Sequence, residues 1–404
     1  MGLRQDADYI VQKAIAAVMP EDAVRKALAG KTYPGKVILV AAGKAAWQMA
    51  KAAYETVPVD AGIVITKYDH ARGAIGALRI REAGHPVPDE NSFGATREAL
   101  DMVRDLRETD TVLFLLSGGG SALFELPLIS TEELQAITGQ LLACGADISQ
   151  INTIRKRLSA VKGGRFARLC QPARVETIVL SDVLGDRLDV IASGPAYPDS
   201  SRTEDALAIV KQYDLQLSKK ALALLEQETP KSLNNVTTQV NGSVRLLCAA
   251  AAEACRVLGY EPILLSDHLD CQAKEAGQML AAELKNYDRK VALIAGGETV
   301  VKLTGSGKGG RNQELALSAA LGIDGMVGTA VFSLGSDGTD GPTDAAGGFV
   351  DYTTAQGLRE KGIDIGQVLA NNDSYHALLA VDGLILTGPT GTNVNDVAVA
   401  LLCK

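Results

Sequence analysis

The sequence predicts an α/β chain of two domains, and three observations carry that reading. Short apolar runs recur along the chain, among them residues 36–42 (KVILVAA), 111–116 (TVLFLL) and 176–180 (ETIVL). Runs of that length, bounded by glycine, serine or charge, suit strands buried on both faces. Segments with apolar residues at three- and four-residue spacing separate them, as crossover helices would. The residues of unusual chemistry stand where the apolar runs end, and in open parallel sheets ligands bind beyond those ends. The first domain is therefore read as a Rossmann-like, mostly parallel sheet with helices on both faces, and the second as a further α/β domain.

Length and composition agree. A chain of 404 residues has room for two or three domains, and 47% apolar with 22% charged residues excludes a disordered chain. Aromatics make up only 4%, so the core is built from Ala, Val, Ile and Leu. The 41 glycines fall in clusters without a period, which excludes collagen. A net charge of −8 argues against nonspecific nucleic-acid or anionic-membrane binding, while leaving room for a local cationic pocket. Cys144, Cys170, Cys248, Cys255, Cys271 and Cys403 form no CxxC pair and read as reduced core thiols of a cytoplasmic protein. No apolar run approaches the roughly 18–20 residues that span a bilayer. Asp6 and Asp8 interrupt the region where a signal peptide would turn apolar, and Ala7, Ile10, Val11, Ala14, Ile15 and Val18 mark an amphipathic helix instead.

Along the chain, a strand over 36–42 leads through Gly43 into a helix ending at Ala53. A second strand covers 61–67 (AGIVITK), and a helix follows over 92–108, with Asn91 or Ser92 as its cap. Ser130 with Glu133 makes a capping box before Leu134, Ile137 and Leu141. Residues 227–242 (QETPKSLNNVTTQVNG) are polar and read as the linker, giving domains over 1–230 and 243–404. Strands are expected at 243–247, 262–266, 291–295 and 329–334, with a helix over 270–287. Residues 393–402 either close the second domain or return to the first.

Seven stretches carry candidate chemistry. Ser117, Gly118, Gly119, Gly120 and Ser121 follow an apolar strand; their uncovered N–H groups suit a phosphate, or the glycines serve a tight turn. Lys44 stands at a strand end, placed to neutralise a phosphate oxygen or solvated like Lys51. Residues 305–311 (GSGKGGR) surround Lys308 and Arg311 with glycine, then Asn312 and Glu314 open a helical pattern. This is a cationic phosphate clamp or a mobile surface loop. Gly305, Gly307 and Gly310 also match G-x-G-x-x-G, weakly, because the unit lies late in the chain and the nearest acid, Asp324, comes too soon. Asp182, Asp186, Asp337 and Asp340 follow strand ends and are candidates for Mg²⁺, or ordinary turn residues. Residues 387–395 (TGPTGTNVN) cap a helix from Asp396 or line the site. His85, in GHPVPD, contacts substrate or makes a structural hydrogen bond. No G-x-S-x-G elbow occurs, which leaves serine hydrolysis without support.

These motifs resemble the class II glycerate kinases, the glycerate 2-kinases with a MOFRL-type C-terminal region. The resemblance rests on residues 117–124 (SGGGSALF), 181–195 (SDVLGDRLDVIASGP), 309–314 (GGRNQE) and 336–347 (SDGTDGPTDAAG), in that order. It implies two α/β domains with the active site in the cleft between them, and transfer from ATP, with Mg²⁺, to the 2-hydroxyl of D-glycerate. Lys44 and Arg311 match the basic pair regarded as catalytic in that family. Chemistry then suggests the amides of 117–121, with Lys308, Asn312 and Glu314, for nucleotide or substrate. Asp182 is suggested as a catalytic carboxylate and Asp186 and Asp340 as Mg²⁺ ligands, with Asp182 an alternative ligand. The expected partners are the small substrate and the nucleotide, with no nucleic acid or membrane, on a monomer or homodimer. The alternatives are an NAD(P)H-dependent hydroxypyruvate reductase, a label some members of that family have carried, and a non-catalytic sugar-phosphate-binding protein.

Overall fold

The computed structural model describes residues 2–404. Its contacts divide the chain into two units. One, the Rossmann unit, comprises Val24–Leu180 and Asp186–Asn241. The other, the C-terminal unit, comprises Gly242–Lys404, the short segment Ser181–Gly185 and the N-terminal segment through Ala23. No helix among the described residues is long and apolar enough to cross a membrane.

The first sheet contains β1 (Val37–Ala42), β2 (Ala61–Lys67), β3 (Arg79–Ala83), β4 (Thr111–Leu116), β5 (Arg174–Leu180) and β6 (Val236–Gly242). Their order is β3-β2-β1-β4-β5-β6, and the pairings of β1 with β2 and β4, β2 with β3, and β4 with β5 are parallel. This is the doubly wound order, with its direction of winding reversed between β1 and β4. Every residue of β1 and β4 is buried, as their unbroken apolar runs require. Val40 stands between Ile63 and Phe114 in the register. Phe114, Phe124 and Phe166 close a trio with ring centroids 4.6 to 5.3 Å apart, each pair contributing about 0.5–1.5 kcal/mol beyond its buried area. The helix after β3 is Glu90–Val103 and its cap is Asp89, which accepts the Ser92 N–H at 3.0 Å; the cap thus falls earlier than the expected Asn91 or Ser92. Ser130 caps Thr131–Ala143 as expected.

The second sheet contains β7 (Glu261–Leu269), β8 (Val291–Gly297), β9 (Thr329–Gly335), β10 (Gly347–Asp351), β11 (Leu384–Ile385) and β12 (Asp396–Leu402), in the order β11-β10-β9-β12-β8-β7. It is mixed: β12 runs antiparallel to both β8 and β9, whereas β7 and β8 are parallel. The strand period of two splits β12 cleanly. Val397, Val399 and Leu401 join the core under the helices Leu3–Ala16 and Val244–Val257. Ala398, Ala400 and Leu402 join the opposite core, under Ala273–Leu284 and Arg311–Ala320. Those last two helices approach closely at Gly277, where a Cβ would lie 2.1 Å from the Leu315 carbonyl oxygen.

Four expectations are corrected here. Residues 243–247 are not a strand but the start of a helix capped by Ser243; Val244, Leu247, Cys248, Ala251 and Cys255 continue its buried face. The polar stretch 227–242 is not simply a linker, since its second half is edge strand β6. Asp396 opens a strand, not a helix, and that strand sits inside the second sheet rather than returning to the first. Not every thiol is a core residue: Cys170, Cys248 and Cys255 are buried, but Cys144 and Cys403 are exposed, and all six are unpaired.

The first helix belongs with the C-terminal unit rather than with the residues that follow it, because Ala7, Ile10, Val11 and Ala14 pack against Val244–Val257. Tyr260 fixes it there: its buried hydroxyl donates to Asp6 at 2.7 Å. Tyr260→Phe therefore removes a hydrogen bond to a buried carboxylate and is expected to destabilise by about 1.5–3 kcal/mol. An unmoved urea midpoint in the variant would refute this.

Candidate active site

In the Rossmann unit the predicted residues converge at the end of β1 and β4. Gly43 follows β1 with φ +129°, and a Cβ there would stand 2.2 Å from Ser117 Oγ, so only glycine permits this approach. The Lys44 N–H donates to the Gly118 carbonyl at 2.8 Å, and the Ala45 N–H donates to Ser117 Oγ at 3.0 Å. Ser117 is buried and spent on this support. Gly119 has φ +87° and leads into the short helix Gly120–Leu123. Among the described residues, the N–H groups of Gly118, Gly119 and Ser121 have no hydrogen-bond partner, and the Lys44 ammonium has no ion-pair partner. Uncovered amides beside a free cation, at the reversal point of a doubly wound sheet, suit an anion.

Sequence reasoning missed what holds that loop from beneath. Lys162 is fully buried, and its ammonium donates to the Ser121 carbonyl at 2.8 Å while lying 3.4 Å from Glu125. Burial pushes it down to about 8, with Glu125 pulling the other way. It also reaches the Ala192 carbonyl, at a turn where Ala192 and Ser193 hold φ of +50° and +60°. Ser193 donates to buried Asn152 at 3.0 Å. A lysine between apolar neighbours gives no one-dimensional sign of this task.

In the C-terminal unit Arg311 is the first residue of its helix. Its guanidinium grips Asp396 with two N–H groups, at 2.5 and 3.0 Å, and Glu298 with a third at 2.8 Å. Glu298 follows β8 and Asp396 opens β12; the pairing of Asp396 with Gly297 brings them together. Burial pushes the Asp396 carboxyl up, to about 6, and the Arg311 contact opposes it. Asn395, at φ +67°, donates to Glu298 and to the Asp182 carbonyl, both at 3.1 Å. Arg311 is one-third exposed, so one edge of this cluster is open. Asn395 closes the 387–395 stretch that one sequence reading places at the site, whereas Asp396 and Glu298 are not singled out as site residues by the sequence reading.

The structure gives Asp340 another use than the expected Mg²⁺ ligand. Its carboxylate accepts the N–H groups of Asn312 and Gln313 at 3.1 and 2.9 Å, and the Asn312 amide at 3.3 Å. Both oxygens cap the Arg311 helix. Asn312 is buried and accepts the Ser333 hydroxyl at 2.6 Å. Glu314 is buried, receives the Asn372 amide at 3.2 Å, and is raised above the ordinary carboxylate range by that burial. Both residues therefore brace the loop before the helix from within. In that loop the amides from Gly305 to Lys308 are already engaged. Gly305 donates to Asn372, Ser306 and Gly307 to Asn371, and Lys308 to Asp373, at 2.9 to 3.2 Å. The Lys308 ammonium lies 4.3 Å from the Tyr375 ring centroid. The loop is tied down rather than mobile, and its main-chain donors from Gly305 to Lys308 are spent on protein partners.

Asp337 accepts the Thr339 N–H at 3.0 Å, an ordinary turn. Asp186 differs. It holds φ +52°, and its Oδ1 is buried without a hydrogen-bond partner. No group of three or more His, Cys, Asp or Glu side chains is gathered for a metal among the described residues.

Family models match both halves of the chain. A domain of unknown function, DUF4147, covers residues 6–226, and the MOFRL family covers residues 291–396. The chain belongs to the MOFRL-type glycerate kinases. The D-glycerate 2-kinase of Thermotoga maritima is 54% identical, over 99% of this chain and 98% of its own. The glycerate 2-kinase of Pyrococcus horikoshii is 41% identical, over 100% and 98%. A crystal structure of the Thermotoga maritima glycerate kinase superimposes with a TM-score of 0.96 at 52% identity, covering 99% of each chain.

The Arg311 clamp yields a test. Asp396→Asn removes the charge that aims the guanidinium, and displacement of such a group by about 1 Å is expected to lower kcat roughly 10²-fold. Unchanged steady-state turnover in Asp396→Asn would show that the clamp does not aim Arg311.

Proposed function

We propose that the protein phosphorylates D-glycerate on its 2-hydroxyl with ATP, giving 2-phosphoglycerate and ADP. The observation that carries this reading is the pairing of uncovered Gly118, Gly119 and Ser121 amides with an unpaired Lys44 at the sheet's reversal point. It is supported by the full-length similarity to proteins named D-glycerate 2-kinase. In phosphoryl transfer a protein chiefly positions groups and stabilises charge. The amides bind phosphate oxygens, and Lys44 balances charge on the group in flight. Arg311, aimed by Asp396, is kept as a catalytic cation of the C-terminal unit; Glu298, half exposed and held by one N–H, is the partner that a phosphate oxygen displaces. Asn312 and Glu314 orient the Arg311 helix and its loop, and Asp182 is kept as a carboxylate near the transfer.

The chain's residues fit Mg²⁺ at Asp186. Its buried, unpartnered oxygen is the donor such an ion needs, and Mg²⁺ is usually held by one or two carboxylates plus phosphates and water. When bound, the ion neutralises charge on the β- and γ-phosphates. The reductase reading has only the weak G-x-G-x-x-G, whose first four amides, from Gly305 to Lys308, are taken by Asn371, Asn372 and Asp373.

Incubation with ATP, Mg²⁺ and D-glycerate should give 2-phosphoglycerate by NMR; absence of product would overturn the proposal. Lys44→Ala and Arg311→Ala are each expected to slow turnover by about 10²–10³-fold, the scale of losing one transition-state donor. Both variants retaining wild-type rates would remove these two residues from the chemistry. Asp186→Asn should raise the Mg²⁺ concentration for half-maximal rate by about 10-fold or more, and an unshifted Mg²⁺ titration would place the ion elsewhere.

A further inference from the structure

We propose that His85 is a catalytic residue whose imidazole accepts the proton of the hydroxyl being phosphorylated. This rests on the kinase reading above and adds the group that removes the proton. His85 follows β3 and lies over the triple-glycine loop. A Cβ built on Gly119 would stand 2.9 Å from His85 Cδ2, 3.1 Å from Nε2 and 3.4 Å from Lys44 Cγ. The ring and the Lys44 stem therefore flank the same glycine, and the missing side chain at 119 is what admits them. His85 is half-buried, and among the described residues its ring nitrogens make no hydrogen bond. The structural hydrogen bond that was one sequence reading of His85 is not formed. An imidazole left unpartnered beside uncovered amides and a free ammonium is placed to meet a ligand.

Its surroundings set its protonation state. Burial is the largest influence, followed by Lys44 from the β1 end, Lys67 from the β2 end and His70 just beyond; all hold His85 below the ordinary histidine range. No carboxylate opposes them. Glu82 is engaged by the N–H groups of His70 and Ala71, and Asp89 by Tyr68 and Ser92. At neutral pH the ring is thus a neutral base, and the cations that keep it so also attract the phosphates. In the step, the hydroxyl oxygen forms a bond to the γ-phosphorus. The bond from that phosphorus to the β,γ-bridging oxygen breaks, and ADP leaves with the electron pair. The hydroxyl proton passes to an imidazole nitrogen and from there to solvent.

The test is the pH dependence of kcat for wild type and His85→Gln at saturating ATP, Mg²⁺ and D-glycerate. Wild-type kcat should fall as pH drops through the His85 titration below neutrality. His85→Gln should be slower by about 10²–10⁴-fold, the range for a lost general base, and should lack that acid limb. Protonation of ATP itself is common to both proteins, so only a limb that disappears counts. A variant within about twofold of wild type, or one that is slow yet keeps the limb as a merely structural defect would, overturns the proposal. Should His85→Gln fail to fold, the wild-type His85 ring signals decide: an NMR titration that tracks the acid limb supports the role, and a mismatch overturns it. Wild-type product is measured first. Its absence brings down the kinase reading and this proposal together, whereas wild-type product with an unaffected variant brings down this proposal alone.

Discussion

The approach of Gly43 to Ser117 is the constraint on which the Rossmann half of the site depends. Two neighbouring parallel strands end there, and a side chain at position 43 would collide with the serine hydroxyl. Because it is hydrogen, the hydroxyl instead receives the Ala45 N–H, and the Gly118 carbonyl receives that of Lys44. These two bonds lash the end of β1 to the turn after β4. Lys44 is thereby held against a loop in which the amides of Gly118, Gly119 and Ser121 meet no protein partner. The far side of the loop is fixed by different means: Phe124 locks into the aromatic trio, and Lys162 grips the carbonyl of Ser121. A glycine-rich segment, flexible by composition, is made rigid by its neighbours, as preorganised binding requires.

Two glycine-rich loops of similar composition meet opposite fates. Around Gly118 and Gly119 the amides stay uncovered; around Gly305 and Gly307 they are consumed by Asn371, Asn372 and Asp373. The difference comes from what lies opposite each loop. Three consecutive polar side chains more than 60 residues downstream close the second loop, with Asn372 also tying it to Glu314. Glycine marks where backbone can approach a partner, and the fold decides whether that partner is ligand or protein.

The two cations that the resemblance singles out, Lys44 and Arg311, are likewise unalike. Lys44 has no carboxylate ion-pair partner and shares its surroundings with Lys67, a local positive field beside His85 in a chain whose net charge is −8. Arg311 is held by Asp396 and Glu298, which suits a planar fork that must be aimed as well as charged. A point charge on a flexible stem and a clamped fork present positive charge differently.

What the sequence determined by itself was local. Unbroken apolar runs identified β1, β4 and β5; helical spacing identified the first helix; Ser130 marked a cap; and motif order identified the family. The reading failed where a signal was local but the answer was not. Residues 243–247 look like a strand until their periodicity is followed to Cys255, and Asp396 looks like a helix start because the polar residues before it could cap one, whereas Thr392 bonds the Val18 carbonyl and Asn395 bonds Glu298 and the Asp182 carbonyl. Only tertiary structure decided that Asp340 caps a helix while Asp186 keeps an unpartnered oxygen, that Lys162 supports the anion loop, and that Arg311 meets Asp396 and Glu298. These residues are brought together by strand order and register across tens or hundreds of positions, and no periodicity records that. Composition chose the chemistry available to each loop; the hydrogen bonds left unmade after folding chose which of it could act.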